Sequence, residues 1–229
     1  MDDYTIYYGL TFLAIAITYG AQLYIQSVYS KYSGIANRKG ITGAMTAKEL
    51  LFNNGMHEVA VKEVNGMLSD HFDPREPSVS LSQNNFESSS IAAVAVAAHE
   101  CGHALQYKEN YALLNIRASL VPLANFSSYA GYLSIMMGLM LGMMNLIWIG
   151  ILLEGVILLF QLVTLPVEID ASRRALVQLQ QYGLVEGEEL DGAKTVLQAA
   201  ALTYVAGVAS TLLQVLRLVL VYGRRSRRD

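Results

Sequence analysis

The chain has 229 residues, enough for one compact domain with membrane spans but not for two large soluble domains. Hydrophobic side chains make up 53% and charged ones 15%, against roughly 25% charge in a soluble domain, so contact with lipid is expected. A net charge of −3 offers no basic footprint for nucleic acid, and a single cysteine, Cys101, excludes an internal disulfide.

In chain order, residues 4–25 contain no charged side chain, residues 118–167 contain only Glu154, and residues 195–222 contain only Arg217. A bilayer span needs about 20 apolar residues. The first and last stretches suit one span each. The middle one suits two, joined by a turn near Met144 and Asn145, with Trp148 as an interface anchor. The expected transmembrane helices are therefore about 4–25, 119–142, 146–166 and 197–221. The first segment reads as an anchor, because it is long for a signal peptide and lacks a basic n-region.

Between the first two spans lies a polar region. Thr46 and Glu49 predict a capping box for a short helix ending at Asn54 and Gly55. Residues 58–64 alternate like a strand, Asn65-Gly66 signals a tight hairpin, and residues 67–72 supply its return strand. Residues 78–82 alternate again, as a half-buried or edge strand would, and read either as an edge on which an extended peptide substrate could add or as a plain sheet strand. Ser88, Ser89 and Ser90 then offer N-caps for an alanine-rich helix over 91–107.

That helix carries His99-Glu100-Cys101-Gly102-His103. Residues four apart share a helix face, so both imidazoles can reach one Zn²⁺, while Glu100 can serve as general base on water activated by the metal. Burying two histidines and a glutamate without a metal would leave costly polar groups. A third ligand is needed. Glu168, two residues past Pro166, is the candidate, and Asp170 the alternative. Two spans separate Glu168 from His103, which returns the chain to the same membrane side. Start signals after the third span place Glu168 in the first turn of a new helix, where an acidic residue could instead pair with Arg173 or Arg174.

The stretches SSSIAAVAVAAHECGHALQY and FQLVTLPVEIDASRRAL, with DHFDP at 70–74 and KYSGIANRKGITG at 31–43, resemble the YugP-like family of neutral zinc metallopeptidases, which are bacterial integral membrane proteins. At greater distance the chain is similar to the HtpX and CAAX-prenyl-protease gluzincins. The resemblance implies a zinc endopeptidase with His99, His103 and Glu168 as metal ligands and Glu100 as the base. In those relatives the helix carrying the glutamate reads E-x-x-A-D; here Glu168 and Ala171 match, and Ser172 stands where an aspartate would orient a ligand.

The remaining candidates carry less. His71 could be an oxyanion donor or a plain turn histidine, and His57 reads as an exposed helix-end residue. Glu154 is costly in lipid and has no assigned role, and the methionines at 136, 137, 140, 143 and 144 read as span packing. Lys31, Arg38 and Lys39 after the first span favour a cytoplasmic catalytic region, whereas Arg224, Arg225, Arg227 and Arg228 favour a cytoplasmic tail. With four spans these signals conflict, and the first helix is given precedence.

The expectation is thus an α-helical protein of the bacterial cytoplasmic membrane, with about four transmembrane helices and a small α+β zincin-like catalytic region. It forms a single metallopeptidase domain over 1–229, whose catalytic region comprises about 26–117 plus 167–195. Its partners are the bilayer and a polypeptide substrate, membrane-associated or not; homo-oligomers are left open. A non-catalytic zinc-binding membrane scaffold is the alternative function.

Overall fold

The computed structural model describes residues 3–66 and 69–225. In order, the elements are α1 (Asp3–Ser33), α2 (Gly43–Asn53), β1 (Ala60–Val64), β2 (His71–Asp73), β3 (Ser78–Ser82), α3 (Gln83–Glu87), α4 (Ile91–Lys108), α5 (Ala112–Leu141), α6 (Met144–Gln181) and α7 (Glu188–Arg225). They form two compact units. One comprises Met1–Gln22, Asn115–Leu165 and Thr203–Asp229; the other comprises Leu23–Leu114 and Pro166–Leu202.

Apart from the turn at residues 142–143, the first unit is helical among its described residues. Among the described residues, three helices are long and apolar enough to cross a membrane: Thr5–Ser33, Met144–Gln181 and Glu188–Gly223. The expected second span falls on α5, whose 30 residues include Pro122, Asn125, Ser127 and Ser128, and which is not among those three. Gly142, with φ of +67°, turns the chain between α5 and α6, slightly before the turn expected near Met144 and Asn145, which are the first two residues of α6. A small core of Ile147, Ile151, Leu218, Val221 and Tyr222 is joined by Trp148 and Tyr7. Large apolar side chains such as Phe12, Tyr129, Met140 and Leu152 face outward, as lipid-facing surfaces require. Arg217 donates to Thr11 Oγ1 at 2.6 Å and lies 4.6 Å from the Tyr7 ring centroid, while Glu154 hydrogen-bonds Gln214.

The second unit is built around α4. Its start is set by Ser90, whose side chain accepts from the Ala93 N–H; losing such a cap costs about 0.5–2 kcal/mol. Of its 18 residues, 14 are buried. Only small side chains allow a helix to be surrounded so closely, and Ala92, Ala95, Ala97 and Ala98 are fully covered. Asn37 ties the preceding loop to this helix start: its amide donates to Ile41 O and Ser89 O.

Three sequence expectations change here. The segment 58–72 is not a hairpin. β3 lies between β1 and β2, parallel to β1 (Val61↔Val79) and antiparallel to β2 (Phe72↔Val79). Asn65-Gly66 is only a bend, and residues 67 and 68, part of the expected return strand, lie outside the described residues. It follows that β3 is the central strand with both edges paired, all five residues buried, and is not open to strand addition. The alternation of SVSLS misled because its serines are as buried as Val79 and Leu81. Ser82 is held by Asp70, whose carboxylate accepts from its N–H and hydroxyl. Helix α2 begins four residues earlier than the capping box predicts: Thr42 is its cap, accepting from Met45 N–H, and Thr46 lies inside the helix. Its end at Asn54 is where the sequence put it.

Pro166 does not end a helix, because α6 runs unbroken through it. Glu168 therefore sits in the interior of α6 and not in the first turn of a new helix. Helix α6 approaches α4 at Gly102: a Cβ there would lie 2.4 Å from Ala171 O. Only glycine permits that approach. Gly102→Ala is expected to push α4 and α6 apart and lower bound zinc at least several-fold, checked by metal analysis of the purified variant beside its helicity.

Candidate metal centre

On α4, His99 and His103 are one turn apart, with ring centroids 4.8 Å apart and planes at 84°. Glu168 reaches them from α6. Its Oε2 lies 3.2 Å from His99 Nε2 and 3.5 Å from His103 Nε2. Among the described residues, these three form the group of His, Cys, Asp or Glu able to hold a metal, with all ligand atoms within 4.8 Å of one another. The Glu168 side chain is 3% exposed, those of His103 and His99 10% and 15%. The site is thus largely screened, yet it is reachable beside the histidines.

The outer ring nitrogens are also engaged. His99 Nδ1 lies 3.1 Å from Ser172 Oγ, and His103 Nδ1 lies 3.0 Å from Gln106 Oε1. Ligating histidines typically use this nitrogen to fix their orientation. Ser172 therefore occupies the place that the aspartate of the E-x-x-A-D pattern would fill. Gln106 was missed by sequence reading; its signal was its place three residues past His103 on the same helix face.

The donor chemistry fits a cation. Gln106 donates through Nε2 to Val167 O at 2.8 Å and to Asp170 Oδ2 at 3.0 Å, so its Oε1 must be the atom facing His103. His103 Nδ1 then carries hydrogen. In the neutral ring the Nε2 lone pair points towards a carboxylate oxygen, an arrangement that a positive charge between them stabilises. Burial opposes charge on His103, but hydrogen bonds to Glu168 and Gln106 and the charges of Glu100 and Glu168 outweigh it and raise its pKa above the ordinary value.

Glu100 is buried at 8% exposure between the two histidines in sequence and bears electrostatically on His103. Asp170, the alternative ligand, is not in the metal-capable group; its carboxylate is taken by Arg173 at 2.6 Å, Arg174 at 2.5 Å and Gln106. Cys101 is buried on the opposite face of α4, its thiol directed to Ala47 O, and burial pushes its pKa up, away from nucleophilic use. His71 is exposed on β2 with Nδ1 2.7 Å from Ser69 O, and His57 is exposed against Phe52.

Comparison with known proteins agrees with this chemistry. Residues 7–223 match the family described as "Putative neutral zinc metallopeptidase". The chain belongs to this family. It is also similar to the "Putative membrane protease YugP" of Bacillus subtilis (strain 168), at 42% identity over 213 residues, covering 93% of this chain and 95% of that protein. No solved structure matches. Family membership makes zinc the metal for which the His99, His103 and Glu168 cluster is suited.

Zinc uptake should depend on pH with a defined sign. Zinc held by this cluster would require His103 unprotonated, and the raised pKa favours the protonated ring to higher pH than in an ordinary histidine. Binding would therefore release a proton, and apparent affinity should rise with pH from the ordinary histidine value up through the raised one. In the metal-free protein the same protonated contact stabilises the fold at low pH and is lost as pH rises through the raised value. Competition with a chelator of known affinity across that range measures the slope; a flat profile would refute the coupling.

Proposed function

We propose that the chain is a gluzincin-type endopeptidase of the membrane, with His99, His103 and Glu168 as zinc ligands and Glu100 as general base. The observation that carries this reading is the convergence of two α4 imidazoles and an α6 carboxylate on one point, within a chain of the zinc metallopeptidase family. Three protein ligands leave a fourth position for chemistry, as catalytic zinc sites require. Zinc held there supplies Lewis acidity and draws the pKa of water down towards ~7.

The chain's own residues do the rest. Glu100, adjacent to His99 and largely removed from solvent, accepts the proton of the attacking water and returns it to the departing amine. Ser172 and Gln106 hold the two imidazoles with their inner nitrogens towards Glu168. Neither step needs a thiol, in keeping with the burial of Cys101.

The wider architecture we propose is one metallopeptidase domain over 1–229, with α5 as a fourth span. At 30 residues α5 is roughly 45 Å long, more than the ~30 Å hydrocarbon core. With α5 and α6 both crossing, His103 and Glu168 fall on one side of the bilayer, the cytoplasmic side by the charges of Lys31, Arg38 and Lys39. A bacterial cytoplasmic membrane is the compartment this implies.

Glu100→Gln is expected to retain zinc and to lose peptide hydrolysis by about 10²–10⁴-fold on casein or a quenched peptide. Glu168→Ala should instead lose the zinc itself. Full activity in Glu100→Gln would leave only a structural metal scaffold. A separate expectation concerns substrate. Glu168 lies on a helix apolar enough to cross a membrane, two residues past Pro166. A membrane-anchored substrate should therefore be cleaved faster in liposomes than a soluble one with the same cleavage sequence, and equal rates would contradict this.

A further inference from the structure

The two histidines are not oriented in the same way. His99 Nδ1 meets a serine hydroxyl, which rotates and can either accept or donate. His103 Nδ1 meets the carbonyl of Gln106, a side chain with no exposed surface and no freedom to turn. Rotating the Gln106 amide would set its oxygen against Val167 O and Asp170 Oδ2. Asp170 is itself immobilised: Arg173 holds Oδ1 at 2.6 Å, Arg174 holds Oδ2 at 2.5 Å, and the other arm of Arg174 reaches Glu109 at 2.6 Å. The residues alternate between two helix faces. His103 and Gln106, with Glu109 at the end of the helix, lie along one stripe of α4. Val167, Asp170 and Arg174 lie along the facing stripe of α6.

We infer that Gln106 is a positioning residue for His103, locked by the Asp170–Arg174 ion pair, so that metal affinity depends on a pair that touches no ligand. The inference rests on the zinc-peptidase reading for the identity of the metal, but not on hydrolysis. It gives Asp170 a function other than the alternative ligand role, and it makes His103 the pre-set ligand and His99 the adaptable one. A glutamine serves here where a carboxylate cannot, because the residue must accept from His103 and donate to Asp170 at once.

That double requirement separates the proposal from the general rule that any acceptor behind a ligating histidine helps. A carboxylate at position 106 would still accept from His103, and by the general rule would bind metal as well or better. Under the lock it faces the Asp170 carboxylate and Val167 O without a donor, and affinity falls.

The test uses the full chain purified in detergent, with Co²⁺ titration followed by its visible absorption and Zn²⁺ affinity measured by competition. Gln106→Glu is expected to lose about 10–100-fold in affinity, with an altered Co²⁺ spectrum. Asp170→Asn in the same chain restores part of it, because the new amide can donate to the carboxylate. Arg174→Gln, at a partly exposed side chain that leaves the core unchanged, should weaken binding in the same direction. Arg173→Gln, whose side chain is 70% exposed, should weaken it less. Circular dichroism of each variant separates loss of orientation from loss of fold. Wild-type affinity in Gln106→Glu, or no change in Arg174→Gln, would overturn the lock. Wild-type protein that binds Co²⁺ but hydrolyses nothing would sink the peptidase reading and leave the lock standing. Wild-type protein that takes up neither ion would remove both.

Discussion

The close approach of α4 and α6 at Gly102 and Ala171 governs the chemistry of this chain. A side chain at position 102 would collide with the α6 backbone. Without that approach the two imidazoles of α4 would face no carboxylate. With it, Glu168 is delivered to both Nε2 atoms, and Gln106 and Ser172 bridge the same two helices on either side. The glycine inside the motif is thus as much a part of the centre as the groups that flank it.

Such an approach also creates an electrostatic debt. Two buried carboxylates, Glu100 and Glu168, lie close to two imidazoles with little solvent to screen them. The protein answers with positive charge in two places. At the centre, the His99, His103 and Glu168 cluster could hold a divalent cation against the Glu168 carboxylate. At the rim, Arg173 and Arg174 neutralise Asp170 before it can compete for the same cation. Held in ion pairs by both arginines, Asp170 also accepts a hydrogen bond from Gln106 Nε2.

The alanine-rich composition of α4 has the same origin. A helix that must be approached closely on one face by α6 and on the other by α2 can carry only small side chains at the contacts. Larger residues such as Leu50, Leu81 and Leu179 supply the bulk of the core from the surrounding elements. Family membership and the apolar helices agree with a zinc metallopeptidase in contact with lipid, and the outward-facing Phe12, Tyr129 and Leu152 have no other evident solvent.

What the sequence determined by itself was local. The helix over 91–107, its serine cap and the histidine spacing depend on neighbours within a few positions and were legible, and the turn between α5 and α6 was legible to within a few residues. That Glu168 meets the two histidines was legible from the resemblance of its surroundings, not from a helix start after Pro166, because α6 runs through that proline. Tertiary structure decided what depends on distant partners. The order β1-β3-β2 separates two strands that a hairpin signal seemed to join, because pairing with β3 buries more than a two-residue turn can enforce. The continuity of α6 through Pro166 and the locked amide of Gln106 were hidden for the same reason. A proline reports the hydrogen bond it lacks, and a glutamine the bonds it can make, but only the facing helix decides whether the chain bends or which way the amide must point.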